Sequence, residues 1–391
     1  MPQAKDVVLV GAGHAHVIAL RDFGRNPVPG IRLTLISRDF FIPYSGMLPG
    51  LVAGHYHCDD AHIDVRPLAQ FAGARLVRDE ATGLDLHGRR VLTKEQGPVP
   101  FDILSFDIGS APNTAGVPGA GEHAIAIKPI DRFLAAFDEL LSRTRERRGK
   151  TRIAMVGAGA GGVELLLSVE ARLRSEAARE GFDPAGLSFT LISDAADILP
   201  AFPGSFRDRF RTLLIARGIG IITNAKVVRV ENGRLHLEQG ATVDADEILW
   251  ATHAAPAHWL SETGLPVDAS GFLRVDACLS VVGHDTIFAA GDTIAFEPRN
   301  LPKSGVYAVR AGPVLAENIR RAAAGRRLEK FRPQEQALYL MSVGRKYAVG
   351  TRNGITVSGH WVWRWKDWLD RRFMGRFRNL PGKSWAVGAS G

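Results

Sequence analysis

The hydrophobic positions of this chain gather into short apolar runs, several closed by glycine. Between them, apolar and polar residues alternate at helical spacing. Residues 6–10 and 31–37 read as strands flanking a helix that starts near Gly13. Residues 75–78 and 90–93 read as short strands, with turn residues around Gly88. Residues 101–112 (FDILSFDIGSAP) read as a strand ending at Gly109. An amphipathic helix follows over 131–147, its last turn rich in Arg, and Arg148 and Gly149 mark a break. Residues 152–156 open a new strand, then comes a long polar helix over 164–180 and a Gly/Asp/Pro loop. Strand-like segments at 219–223, 226–231 and 234–238 follow, the last two joined by the hairpin turn Asn232-Gly233. Residues 247–256 and 285–292 are further strands, the second closing on Gly291-Asp292, and a helix is expected over 305–324.

One part of this pattern occurs twice. VVLVGAGHAHVIAL at 7–20 returns as IAMVGAGAGGVELL at 153–166, and each copy leads to TLIS, at 34–37 and 190–193. Apolar strand, glycine-rich turn, helix start and second strand form the layout of a dinucleotide-binding βαβ unit. Two such units suggest two dinucleotides held against each other, as a flavin and a nicotinamide would be for hydride exchange.

The glycines differ between the copies. Gly157, Gly159 and Gly162 satisfy the full pattern, whereas the first copy has Gly11 and Gly13, with Ala12 between them, and then His16 in the third place. The first glycine permits a tight turn, the second lets helix-terminal N–H groups approach a pyrophosphate, and the third allows close helix–strand packing. A packing role is favoured for His16, and His14 is expected beside the pyrophosphate. Both second strands end in Ser, Ser37 and Ser193, where an acid usually meets the ribose diol. Asp194 stands ready for that role with no base close behind it, which favours NADH over NADPH. Arg38 is either a cofactor contact or a solvated surface arginine.

Composition adds exclusions. The 391 residues are 46% hydrophobic, enough for two or three domains. Cys58 and Cys278 lie far apart, with no CxxC or CxxxxC, so no dithiol of neighbouring cysteines operates and a reducing cytoplasm is expected. Cys278 lies in the strand-like run VDACLSV (275–281) and is expected in the core. No metal site is expected. The N-terminus enters a strand without a leader, and no apolar run approaches the length of a bilayer span. Residues 345–383 hold ten basic residues against Asp367 and Asp370, an excess equal to the formal net charge of +8. In that tail Trp361, Trp365, Trp368 and Phe373 recur at helical spacing, with Arg364, Lys366, Arg371 and Arg372 on the flanks. This reads as an interfacial helix on a membrane surface, or as a face packed on the protein or in a homodimer. No nucleic-acid fold signature accompanies the tail, so no nucleic-acid partner is expected.

The order of these motifs resembles the pyridine nucleotide-disulfide oxidoreductase superfamily over roughly residues 6–330. Its marks are the late strand FAAGD (288–292) and two crossover strand ends, Asp107-Ile108-Gly109-Ser110 and Ala251-Thr252-His253, the second with His for Gly. Within it the chain is most similar to type II NADH dehydrogenases and to the flavoprotein module fused ahead of selenide, water dikinase. GAGHAHV (11–17), PYSGMLPGLVAGHY (43–56), IKPI (127–130), LPKSGVYAVRAGP (301–313) and WVWRWKDWLDRRFM (361–374) carry that likeness. The resemblance implies an α/β fold with two Rossmann-like domains: an FAD domain (1–112 and 270–330), an inserted NAD(P)H domain (113–269) and a C-terminal interface region (331–391). It implies FAD contacts at Gly11, Ala12, Gly13, His14, Ser37, Arg38, Ala81, Gly109, Gly291, Asp292, Gly305 and Val306. Nicotinamide nucleotide contacts fall at Gly157, Gly159, Gly162, Ser193 and Asp194. Lys303, before the helix at Gly305, and Lys128 are candidates near the flavin, and Glu164 near the nicotinamide. The expected activity is hydride transfer from NADH or NADPH to FAD, then electron transfer to an acceptor, with quinone favoured. The setting is cytoplasmic, peripheral on the membrane face if the tail binds lipid. A slow flavin-bearing redox sensor, or a selenium- or sulfur-handling flavoenzyme, are the alternatives.

Overall fold

A computed structural model describes residues 4–114, 116–252 and 254–381, so His253 and the tail's Lys383 lie outside it. Its frame is two five-stranded parallel sheets with the same plan. The first runs Ile287–Ala289, Ile103–Phe106, Lys5–Val10, Ile31–Ser37, Arg75–Arg78. The second runs Ile125–Ala126, Glu247–Trp250, Thr151–Val156, Leu187–Ile192, Ile219–Ile222. Each repeated strand is therefore the middle of its sheet. A middle strand is covered on both faces, which is why its sequence is an unbroken apolar run. Val7, Val8, Leu9 and Val10 are at most 1% exposed, each contributing about 1.5–3 kcal/mol of burial.

The repeated helices cross over these sheets. His14–Arg25 packs on the late helix Gly305–Ala323, where Gly312 fits against Ile18 and the Ala15 carbonyl. Ala160–Arg179 starts four residues earlier than its polar pattern suggests, because Gly161 and Gly162 are already helical. The chain ends in a three-stranded antiparallel sheet over Tyr339–Ser342, Ala348–Arg352 and Ile355–Gly359, and then the helix His360–Arg378.

Two local expectations are corrected. Cys278 lies in a turn after the strand Leu273–Val275 and is only half-buried, not a core strand residue. Asp276 imposes that turn by accepting from the amides of Cys278 (2.7 Å) and Ser280 (3.0 Å). Phe373 and Lys366 do not belong to the exposed Trp face. Both are buried on the opposite side of the helix, whereas Trp361, Trp365 and Trp368 are 56%, 38% and 53% exposed. The spacing 361, 365, 368 keeps one face, and 366 and 373 are turned well away from it.

Candidate active site

Two glycine turns carry the site, and their backbones are equivalent. Gly11 donates its N–H to the Ile36 carbonyl and Gly157 to that of Ile192, both at 2.8 Å. Asp107 donates to the Val10 carbonyl (2.9 Å) and Ala251 to that of Val156 (2.8 Å), so Asp107 and Ala251 are counterparts, as are Ser105 and Leu249. Gly11 and Gly157 have φ of +86° and +109°. A Cβ on either would press on the carbonyl of Asp107 or Ala251, at 2.5 and 2.4 Å. Only glycine serves there.

The second glycine separates the copies. Gly159 faces no heavy atom within 4 Å, so the N-terminus of Ala160–Arg179 is open to a phosphate. A Cβ on Gly13 would stand 2.3 Å from the Asp107 carboxyl group. That carboxyl accepts through Oδ2 from the amides of Ala15 (2.8 Å) and His16 (3.0 Å).

At the third position, a Cβ on Gly162 would lie 1.9 Å from the Gly157 carbonyl. His16 fills the same place in the first copy, fully buried, with Nδ1 2.5 Å from the Gly11 carbonyl and Nε2 2.8 Å from Ser105 Oγ. Burial holds its pKa down at about 4. The neutral ring therefore donates from Nδ1 and accepts at Nε2 from the Ser105 hydroxyl. This is the packing role expected of it.

Around the first turn the structure collects a polar cluster. Lys128 Nζ donates to Asp292 Oδ2 at 2.7 Å, and the Ser110 hydroxyl donates to the same oxygen at 3.3 Å. Gly109 and Gly291 flank it with φ of +74° and +69°. His14 presents a buried Nε2 with no partner among the described residues, its ring 5.5 Å from that of Tyr44. Burial draws its pKa down to about 4, Asp292 opposing and Lys128 reinforcing. Lys303 Nζ donates to the Ile294 carbonyl and lies 3.6 Å from the centre of the Phe272 ring. Burial lowers its pKa, against Asp292 and Asp268. The helix Gly305–Ala323 begins beside it, and among the described residues nothing accepts from the amides of Gly305 and Val306. An orphaned imidazole nitrogen and free helix-terminal amides, beside the turns at Gly11 and Gly291, fit a dinucleotide in this crevice.

A family model described as pyridine nucleotide-disulphide oxidoreductase matches residues 5–312. The chain belongs to this family. It is 26% identical over 376 residues, 91% of each chain, to the type II NADH:quinone oxidoreductase of Staphylococcus epidermidis. It is 25% identical over 389 residues, 94% of each, to that of Staphylococcus aureus. Similar solved structures include the sulfide:quinone oxidoreductase of Aquifex aeolicus (TM-score 0.80, 20% identity, 96% of this chain and 92% of that one). Another is NDH2 from Plasmodium falciparum in complex with NADH (TM-score 0.79, 15% identity, 97% and 99%). At these identities the structures speak for the fold.

The other expected residues of this family member fall in three places. Ser37 turns its hydroxyl to the Asp39 carbonyl (2.7 Å), and Arg38 is held by Asp39 (2.7 Å) and Asp131 (3.1 Å). Ala12 is buried beneath the turn, and Ala81 opens a strand two residues past Asp79, whose amide donates to the Ser37 carbonyl. On the second sheet Ser193 Oγ accepts from the Ala195 amide (3.2 Å) and Asp194 is exposed. Asp197 holds both Arg207 and Arg211.

Glu164 is not brought to the Lys128–Asp292 cluster. Its Oε1 accepts from the Ser342 amide at 2.6 Å. Burial pushes its pKa up to about 7, with Lys366 and that amide opposing. Lys366, Asp370, Tyr44 and Asp107 are site neighbours that sequence reasoning missed. Lys366 Nζ donates to Asp370 Oδ2 (2.7 Å) and to the Gly46 carbonyl (2.5 Å). Tyr44 bonds Asp370 and stacks on Phe373 at 4.5 Å. The C-terminal helix is thus fastened to the PYSGMLP segment. Lys366 and Asp370 stand at i, i+4, and Asp107 stands in its crossover strand end where Ala251 stands in the other, so both signals were in the sequence.

Proposed function

We infer that the chain is an FAD-dependent oxidoreductase that takes hydride from NADH and passes electrons to a quinone. The observation that carries this reading is the pair of unequal glycine turns, one beside a half-buried polar cluster and one open, in a chain whose two cysteines are free and apart. The quinone follows from the names of the Staphylococcus relatives. In this reading residues 1–112 and 270–330 form the FAD unit, 113–269 the inserted nucleotide unit and 331–391 the interface region.

FAD, when bound, supplies hydride acceptance and two-electron delivery. Everything else belongs to the chain. Gly11, Gly13 and His14 would hold the pyrophosphate, and Asp292, held by Lys128, would hold the ribityl hydroxyls. Lys303 and the positive end of the helix at Gly305 favour negative charge beside the flavin ring. Gly157, Gly159 and Gly162 receive the visiting nucleotide, and Asp194 takes its ribose diol. Asp197 ties down Arg207 and Arg211 and offsets one of their two charges, and the acid at Asp194, next to the strand end, favours NADH. Glu164, whose carboxyl burial raises to about 7, would stand near the nicotinamide and hold a proton there, while the hydride transfer itself exchanges none with it.

No helix among the described residues is long and apolar enough to cross a membrane. The exposed Trp361, Trp365 and Trp368, with Arg364 and Arg372 beside them, suit a peripheral contact with a lipid surface. Steady-state oxidation of NADH by the FAD-loaded protein with a quinone series tests the assignment, with sustained turnover expected. A flavin that NADH reduces but no quinone reoxidises would overturn the acceptor. Replacing the three tryptophans by serine is expected to abolish flotation with anionic vesicles while leaving stability within about 0.5 kcal/mol.

A further inference from the structure

The Asp107 carboxyl is the acidic group of the first turn, and Ala251 stands in its place in the second. Asp107 lies between the two segments assigned to the flavin nucleotide. Its Oδ2 holds the amides of Ala15 and His16, and a Cβ on Gly291 would meet its Oδ1 at 2.3 Å. It is 2% exposed, so water does not balance its charge. In the second turn Ala251 stands in its place, and the helix end is left to the ligand.

We propose that Asp107 is a proton-bearing member of the FAD cradle: binding of the pyrophosphate draws one proton from solvent onto its carboxylate, so the hold on FAD weakens as pH rises. This rests on the assignment of FAD to the first turn.

The argument is electrostatic. A pyrophosphate seated at Gly13 brings two negative charges to a crevice that already holds the Asp107 and Asp292 carboxylates. Lys128 pairs directly with Asp292, and Lys303 lies on Asp292's side. Among the described residues no cation contacts Asp107. The other titratable groups on the helix facing it are His14 and His16, both kept neutral by burial. Like charges in a dry site do not all ionise together, and the least solvated acid takes the proton. Already without ligand, burial pushes the Asp107 pKa up to about 7, against the amides of His16 and Ala15, with Asp292 adding to the rise. The phosphate raises it further. The protonated carboxyl keeps Oδ2 as acceptor for the two amides and no longer sets a second negative charge beside the phosphate.

The sign follows from linkage. Below the Asp107 pKa of the free protein, the acid is already neutral and binding takes up no proton. Above it, one proton is taken up per FAD, and the dissociation constant climbs by up to about tenfold per pH unit.

The experiment is FAD binding to the full chain stripped of flavin, from about pH 6 to about pH 9, with calorimetry in two buffers of different ionisation enthalpy to count protons. The wild type is expected to weaken at least about tenfold over that range and to take up close to one proton at the alkaline end. Asp107→Asn, whose amide oxygen still accepts from Ala15 and His16, is expected to show a flat profile, no proton uptake and tighter binding at high pH. Asp107→Ala, which copies Ala251, serves if the Asn variant does not fold, with the same flat profile. A wild-type affinity independent of pH overturns the proposal. So does proton uptake that persists in both variants, which would assign it to His14 or His16. Absence of FAD binding at every pH would instead overturn the functional assignment.

Discussion

The two strand–turn–helix units share a backbone almost hydrogen bond for hydrogen bond, yet they are filled oppositely. In the first, Asp107 and His16 take the space and the donors that a ligand and a glycine would otherwise use, and Ser105 completes the set. In the second, Ala251, Gly162 and Leu249 leave the helix against its strand and the turn at Gly159 open. The difference teaches that a glycine in this motif has no fixed duty. Gly13 lacks a side chain because a carboxyl group needs the room, whereas among the described residues nothing fills the space at Gly159. We read the filled unit as the seat of the resident flavin and the open one as the seat of the exchanging nicotinamide.

The sharpest break comes from writing one unit into the other. Gly162→His copies the first turn into the second, where a Cβ has 1.9 Å to the Gly157 carbonyl. It should abolish reduction by NADH while FAD stays bound, and lower stability by about 1–3 kcal/mol. Thermal melting alongside FAD retention separates the two effects, and an unaltered KM for NADH would show the units to be interchangeable. Next in size, Gly13→Ala should cost about 1–3 kcal/mol in denaturant unfolding, whereas Gly159→Ala should stay within about 0.5 kcal/mol. Adding Asp107→Ala to Gly13→Ala should recover about 1 kcal/mol or more of the loss. Strict additivity would mean that the carboxyl is not what crowds Gly13.

A smaller effect follows from the buried histidine. His16 titrates near 4 in the folded chain against an ordinary 6.5, so the unfolded chain binds the proton more readily. Its contribution is intact above about pH 6.5 and is lost as pH falls toward 4. Paired His16→Leu and Ser105→Leu substitutions, the second of which copies Leu249, should flatten that part of the stability–pH curve and cost about 1–2 kcal/mol at neutral pH for the unpaired Gly11 carbonyl. An unchanged slope would place the acid sensitivity elsewhere, His14 being the nearest alternative.

The sheets were legible in the sequence, because a strand covered on both faces has no choice but to be apolar throughout. Residues 31–37 and 75–78 came out as the strands Ile31–Ser37 and Arg75–Arg78, and the helix predicted over 305–324 is Gly305–Ala323. The glycine turns and the packing role of His16 were legible for the same reason: a missing or added side chain beside a tight turn has few readings. Asp107 was read only as part of a crossover strand end, because its partners lie about ninety residues away, on a helix that only the fold brings over it. Lys366 was misread for a related reason. Its charge argued for solvent, while Asp370 and the Gly46 carbonyl compensate it in the interior, and no local pattern announces that. Cys278 failed because an Asx turn at Asp276 overrode a strand-like run.

The most direct test of the unequal units is anaerobic addition of NADH to the purified native protein and to Gly162→His, followed in the flavin absorption band. The account predicts a yellow protein in both cases, bleached by NADH in the native chain and unbleached in the variant. A native flavin that neither NADH nor NADPH bleaches, or a variant bleached as fast as the native protein, would contradict it.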